Sequence, residues 1–186
     1  MTSVTVFGSG KMGSAIGSIF TAGGATVDHI TSSTPDATVT GDIVVFAVPY
    51  GAIGDIVAKH RDQLAGKIVV DITNPIDFST FTFVVPADGS GANEIAKLLP
   101  ASTVVKGFNT TFAQTLADPS RGAVVLIAGD NADAKATVLA AIQAGGFAAV
   151  DTGALAAARE LEGFAKLQIQ LAMGGKIGGF AVIPAA

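Results

Sequence analysis

Val4-Thr5-Val6-Phe7-Gly8-Ser9-Gly10-Lys11-Met12-Gly13 runs from a strand-like segment into a glycine-rich turn and the start of a helix. An apolar, β-branched run enters glycines at its fifth, seventh and tenth places, and small residues Ser14, Ala15 and Gly17 follow on a helical segment. Strand, tight turn and helix are the setting in which G-x-G-x-x-G has a mechanism. Gly8 permits the turn, Gly10 lets the backbone come within reach of a pyrophosphate, and Gly13 lets the helix pack closely on the strand. The start of the helix offers unpaired N–H groups and a positive dipole end to phosphates. A glycine-rich turn in an ordinary α/β protein is the bland alternative. The order of elements near the N-terminus favours a dinucleotide site.

Working outward, short apolar runs recur at residues 4–7, 25–30, 43–47, 68–71, 103–107, 124–128 and 148–151. They are apolar on consecutive positions, as strands buried on both faces are. Helix-length segments lie at 11–22, 52–64, 92–99, 132–144 and 155–173. Alternation of this kind predicts an α/β fold, a Rossmann-type doubly wound and mostly parallel sheet. The stretch 31–42 is too short and too rich in Pro, Thr and Gly for a full helix, so the second crossover is expected to be shortened to a loop or short strand. No repeat or linker marks a boundary. The expectation is one nucleotide-binding domain over 1–186, with 154–186 as a C-terminal helix and tail.

The composition excludes several classes. The 186 residues carry 49% hydrophobic and 14% charged positions, which supply a core and rule out intrinsic disorder. A net charge of −4 argues against a nucleic-acid surface. With no cysteine and only His29 and His60, neither thiol chemistry nor a metal site is expected. No apolar run approaches the roughly 20 residues of a membrane span. The N-terminus lacks a basic leader, so a cytoplasmic location is expected.

The adenosine end of a dinucleotide is read after the second strand, where an NAD enzyme usually places an acid on the ribose. Here that strand ends His29-Ile30-Thr31-Ser32-Ser33-Thr34, with no acid at its tip and Asp28 earlier, inside the strand. The hydroxyls of Thr31, Ser32 and Ser33 favour the 2′-phosphate of NADP(H), with Lys11 as the nearby cation. A second polar patch gathers at three strand ends: Ala47-Val48-Pro49-Tyr50, Thr73-Asn74-Pro75 and Phe108-Asn109-Thr110. Ligands of open α/β sheets bind at such ends. Asn-Pro and Pro-Tyr are also common turn chemistry, but their coincidence at three ends favours a site. No side chain is assigned a catalytic role. His60, in Lys59-His60-Arg61-Asp62, and the run Arg159-Glu160-Leu161-Glu162 both read as solvated helix surface.

The ordered set Val6-Phe7-Gly8-Ser9-Gly10-Lys11-Met12-Gly13, Ala47-Val48-Pro49-Tyr50, Asp71-Ile72-Thr73-Asn74-Pro75, Val105-Lys106-Gly107-Phe108-Asn109-Thr110 and Ala128-Gly129-Asp130 resembles the F420-dependent NADP oxidoreductases. It is similar above all to their short NADPH-dependent members, and through the fold to the cytoplasmic domain of the STEAP metalloreductases. The resemblance runs to about Met173. It implies that Gly8, Ser9, Gly10, Lys11 and Met12 cradle the pyrophosphate. It further implies that Ser32 and Ser33 meet the 2′-phosphate, in place of the family's Ser-Arg or Arg-Arg. Val48, Pro49 and Tyr50 would line the nucleotide cleft, and Asn74, Pro75, Asn109 and Thr110 would border the nicotinamide and the acceptor. The function so implied is NADP(H)-dependent hydride transfer to a small-molecule redox acceptor, with F420, FMN and FAD as candidates. The competing readings are a non-catalytic NADP(H) sensor and a minimal β-hydroxyacid or pyrroline-carboxylate dehydrogenase. The apolar tail, with Leu167, Ile169, Leu171 and Met173 before a glycine-rich stretch and Phe180, Val182 and Ile183 after it, leads us to expect a homodimer in which residues after about Gly163 cover the nicotinamide end of the cleft or pack on the partner; packing on the chain's own sheet is the alternative.

Overall fold

The computed structural model describes residues 2–34 and 36–178. In chain order the elements are β1 (Ser3–Phe7), α1 (Lys11–Ala22), β2 (Thr26–Ile30), β3 (Ile43–Phe46), α2 (Ile53–Leu64), β4 (Ile68–Asp71), β5 (Ile76–Asp77), β6 (Thr82–Phe83), α3 (Gly91–Leu98), β7 (Thr103–Gly107), α4 (Ala113–Leu116), β8 (Val124–Gly129), α5 (Ala132–Ala144), β9 (Ala148–Asp151) and α6 (Ala158–Met173). Seven strands form one sheet in the order β2-β1-β3-β4-β7-β8-β9. β5 and β6 pair separately as a small antiparallel ribbon. The doubly wound, mostly parallel sheet of Rossmann type is therefore present. Among the described residues the stretch between β2 and β3 contains no helix, so the second crossover is shortened as expected.

The consecutive apolar residues of the central strands feed two cores, one on each sheet face. Ile43 and Val45 of β3 join the layer built on α1 and α5, with Ile16, Phe20, Val138 and Ile142. Val44 and Phe46 join the opposite layer, with Ile53, Val57, Leu64 and Ile95 of α2 and α3. Period-two alternation thus hides inside an unbroken apolar run, because both faces are covered. The edge strands differ: Asp28 and His29 of β2 and Val150 of β9 are exposed. Asp28 accepts from Thr40 Oγ1 at 3.0 Å, which fits its reading as a strand-edge polar residue.

β8 is the exception to parallel order. It runs antiparallel to β7, while β9 runs parallel to β8. The chain after β7 turns through α4, which packs on α1, and re-enters the sheet without crossing to its far end. The segment 167–173 is helical, as the C-terminal part of α6. Phe180, Val182 and Ile183 lie outside the described residues. Among the described residues no helix is long and apolar enough to cross a membrane.

Candidate functional site

The register of the sheet draws the candidate residues into one row. Phe7 pairs with Phe46, Phe46 with Asp71, and Asp71 with Lys106. The segments that follow these four residues therefore leave the sheet side by side at its carboxyl edge. They are the glycine loop, Ala47–Tyr50 (residues 47–50), Thr73-Asn74-Pro75 and Phe108-Asn109-Thr110.

Each glycine of the loop has its own geometry. Gly8 has φ +105, and a Cβ there would strike the Ala47 carbonyl oxygen. A Cβ on Gly13 would strike the Gly8 carbonyl oxygen, so its absence lets α1 settle on the turn. Gly10 has an ordinary φ of −68, and a Cβ there would meet no atom within 4 Å. It borders open cleft. The first intrahelical bond of α1 runs from Ser14 N–H to Gly10 O, and no side chain among the described residues caps the helix. By contrast α3 and α5 are capped by Ser90 and Asn131. The orphan N–H groups at the start of α1 are thus open to an anion. His29 steadies the turn through Nδ1, 3.0 Å from Gly8 O.

Two hollows meet at this loop and share Gly10, Ala47, Val48 and Pro49. The first, about 570 Å³, reaches toward β2 and is lined by Ser9, Ile30, Thr31, Ser32, Asp55, Lys59 and His60 among others. The second, about 650 Å³, extends over Lys11, Met12, Tyr50, Thr73 and Asn74 to an apolar wall of Ile76, Phe78, Val84 and Ile169. Both volumes fall in the usual range for small-molecule sites.

At the tip of β2 the hydroxyls are not equivalent. Thr31 Oγ1 lies 2.7 Å from Ser33 Oγ, and Thr34 Oγ1 accepts from Thr31 N–H at 2.9 Å. These bonds hold the turn. Ser32 lines the cleft beside Thr31, whereas Ser33 is engaged with Thr31. Lys11 lies on the other side of the loop, in the second hollow, and lines a groove behind α1. It is not placed among the residues at the β2 tip.

The second hollow rests on a buried charge network. Lys106 Nζ donates to Asp71 Oδ2 and to Glu162 Oε1, each at 2.8 Å, and also to the Thr73 carbonyl. All three charged side chains are at most 1% exposed. Glu162 also accepts from Gly91 N–H at 3.0 Å, so the positive end of α3 helps to hold the net negative charge. Asn74 donates to Asn109 O at 3.1 Å, and Asn109 Nδ2 donates to Asn74 Oδ1 at 3.0 Å. Thr110 is buried beside them, and Pro75 begins the turn into β5. Thr73 Oγ1 and Asn109 Oδ1 are buried with no hydrogen-bond partner among the described residues. Burial, then the carboxylates of Glu94, Asp71 and Glu162, raise the Tyr50 phenol above its ordinary pKa, so it stays protonated at neutral pH.

Two expectations are corrected here. His60 is 4% exposed, with its ring 5.2 Å from that of Phe7. It faces the sheet because the apolar stripe of α2, Ile53, Val57, His60 and Leu64, passes through it. Leu161 and Glu162 are likewise buried, on the inner stripe of α6 with Ala158, Ala165 and Gln168. The spacing of that stripe was the legible signal; the charged neighbours hid it.

A family model described as NADP oxidoreductase, coenzyme F420-dependent, matches residues 25–75. An F420-dependent NADP reductase of Methanocaldococcus jannaschii is 31% identical over 155 residues, covering 80% of this chain and 70% of that one. The chain belongs to the F420-dependent NADP oxidoreductase family. Metalloreductase STEAP3 of Rattus norvegicus is 42% identical over 122 residues, 64% of this chain, and the chain spans 23% of its length. A solved Arthrobacter sp. FB24 protein shares the fold, with a TM-score of 0.86 over 100% of both chains at 24% identity.

Within this F420-dependent oxidoreductase family member, the predicted site residues fall into clear places. Gly8, Ser9, Gly10, Lys11, Met12, Thr31, Ser32, Ala47, Val48, Pro49, Tyr50, Thr73 and Asn74 line the two hollows, while Gly13 is buried behind the turn against the Gly8 carbonyl. Pro75, Asn109 and Thr110 support the second hollow from the same strand ends. Asp55, Lys59 and His60 in the first hollow, and Ile76, Phe78 and Val84 in the second, were not found by sequence reasoning. None of them belongs to a motif; helix α2 and the β5–β6 ribbon bring them in from elsewhere in the chain. Ile169, from the segment expected to cover the cleft or pack on a partner, lines the second hollow. Among the described residues no cluster of His, Asp or Glu is arranged to hold a metal ion.

Proposed function

We propose that this protein is an NADP(H)-dependent oxidoreductase that passes hydride between the nicotinamide and a flavin-like acceptor such as coenzyme F420. The observation that carries the reading is the pair of hollows meeting at an uncapped helix start. The residues fit a dinucleotide: Gly10 leaves room for a pyrophosphate against the N–H groups of α1, and each hollow is large enough for one half of the molecule. When bound, the nicotinamide supplies the hydride. The chain's own residues orient it and exclude water. Thr73 Oγ1 and Asn109 Oδ1, buried and unpartnered, are suited to a carboxamide near the strand ends. The apolar wall of Ile76, Phe78, Val84 and Ile169 offers a surface for a planar acceptor. Hydride transfer between two such rings needs alignment more than a side-chain acid.

Steady-state oxidation of NADPH in the presence of F420, FMN, FAD or a ferric chelate tests this. Turnover with F420 or a flavin is expected. A protein that binds NADPH but turns over none of the four would be a sensor, and the enzymatic reading would fall. We also propose a homodimer. The last turn of α6 supports it: Ile169, Leu171, Ala172 and Met173 are apolar, and none is buried.

A further inference from the structure

Lys59 stands over the hollow that ends at β2. It reaches the hollow from α2, opposite Ile30, Thr31 and Ser32. Its Nζ lies 3.4 Å from Asp36 Oδ1, with side chains 45% and 96% exposed. His60 beside it is held below its ordinary pKa, first by burial and then by the charge of Lys59, so it is neutral at pH 7. Asp55 adds a negative charge to the same wall. Among the described residues that line this hollow, Lys59 is therefore the one with a full positive charge. Lys11 does not line this hollow; it lines the second hollow and the groove behind α1.

We propose that Lys59, assisted by the Ser32 hydroxyl, binds the 2′-phosphate and is the residue that separates NADP(H) from NAD(H). This rests on the dinucleotide reading above. In this fold the adenosine ribose lies at the carboxyl end of β2, where Ser32 and Lys59 line the same hollow. A phosphate monoester carries close to two negative charges and needs a cation. Lysine can supply it as a point charge on a flexible stem. Without ligand the ammonium is held by Asp36. That pair is exposed, so exchanging its carboxylate for a phosphate dianion costs little. Asp36 then opposes the phosphate, and the discrimination it permits is modest.

The test is a titration of NADPH and NADH, read by the emission of the bound nicotinamide; the chain has no tryptophan to interfere. Wild type, Lys59→Met and Asp36→Asn are compared. Loss of one charge-assisted contact should weaken NADPH in Lys59→Met by about tenfold or more and leave NADH within about twofold. Asp36→Asn should tighten NADPH and not NADH. A Lys59→Met protein with an unchanged NADPH/NADH ratio overturns the assignment of Lys59 while the dinucleotide reading stands. A wild-type protein that binds neither nucleotide overturns both.

Discussion

Single side chains separate folding from binding at the glycine loop. Gly8 and Gly13 are needed by the protein itself, because a methyl on either would enter backbone oxygen. Gly10 is not: its φ suits any residue and its missing methyl faces open cleft. Gly10→Ala should therefore keep the wild-type melting temperature and lose NADPH affinity by about tenfold or more, as contacts to the helix N–H groups are blocked. Calorimetric titration beside a thermal melt checks this, and a folded variant with full affinity would show that the loop is not the site. The two serines after β2 differ in the same way. Ser32 lines the cleft, while Ser33 is bonded to Thr31. A carboxylate beside a 2′-phosphate repels it. Ser32→Asp should shift preference toward NADH more than Ser33→Asp does. Equal NADPH/NADH ratios in both variants and wild type would place the 2′-phosphate elsewhere.

Among the elements, Lys106 is the tie. From β7 it binds Asp71 of β4, the Thr73 carbonyl beyond β4, and Glu162 of α6, which in turn holds the start of α3. Its ammonium is buried among two carboxylates, so removing it strands charge where water cannot reach. Lys106→Met should cost about 3–5 kcal/mol. That is a large part of the roughly 5–15 kcal/mol of a typical domain. Glu162→Gln should cost less, because an amide oxygen can still accept from Gly91 N–H and one carboxylate remains for Lys106. Denaturant unfolding of both variants measures the order; Lys106→Met as stable as wild type would show that the network carries no stability.

At the scale of the whole molecule, α6 would link the proposed acceptor wall to the proposed assembly. Ile169 lines the second hollow, while Met173 is 63% exposed. If the last turn of α6 is the contact between two copies, charges there should separate them. Leu171→Glu with Met173→Glu is expected to halve the mass found by light scattering and to leave NADPH binding intact. A wild type that is monomeric at micromolar concentration, or a double variant that keeps its partner, would exclude this contact.

The sequence by itself determined the class of fold and the place of the cleft. Unbroken apolar runs of strand length, set between turn residues, read as strands covered on both faces, and glycines spaced as Gly8, Gly10 and Gly13 between a strand and a helix read as a phosphate-binding turn. Both signals are local, because they depend on backbone conformation and on neighbours close in the chain. Strand direction was not local. β8 has the apolar run of a parallel strand, and only the route through α4 turns it antiparallel. The far walls of the cleft were not local either. His60 looked like solvated helix surface until α2 was laid against β1, and Glu162 looked like surface until α6 was laid against β7 and α3. A charged residue can be read as buried only once its partner is known. Asp71, Lys106 and Glu162, far apart in the chain, become partners only when the sheet and its helices have closed around them.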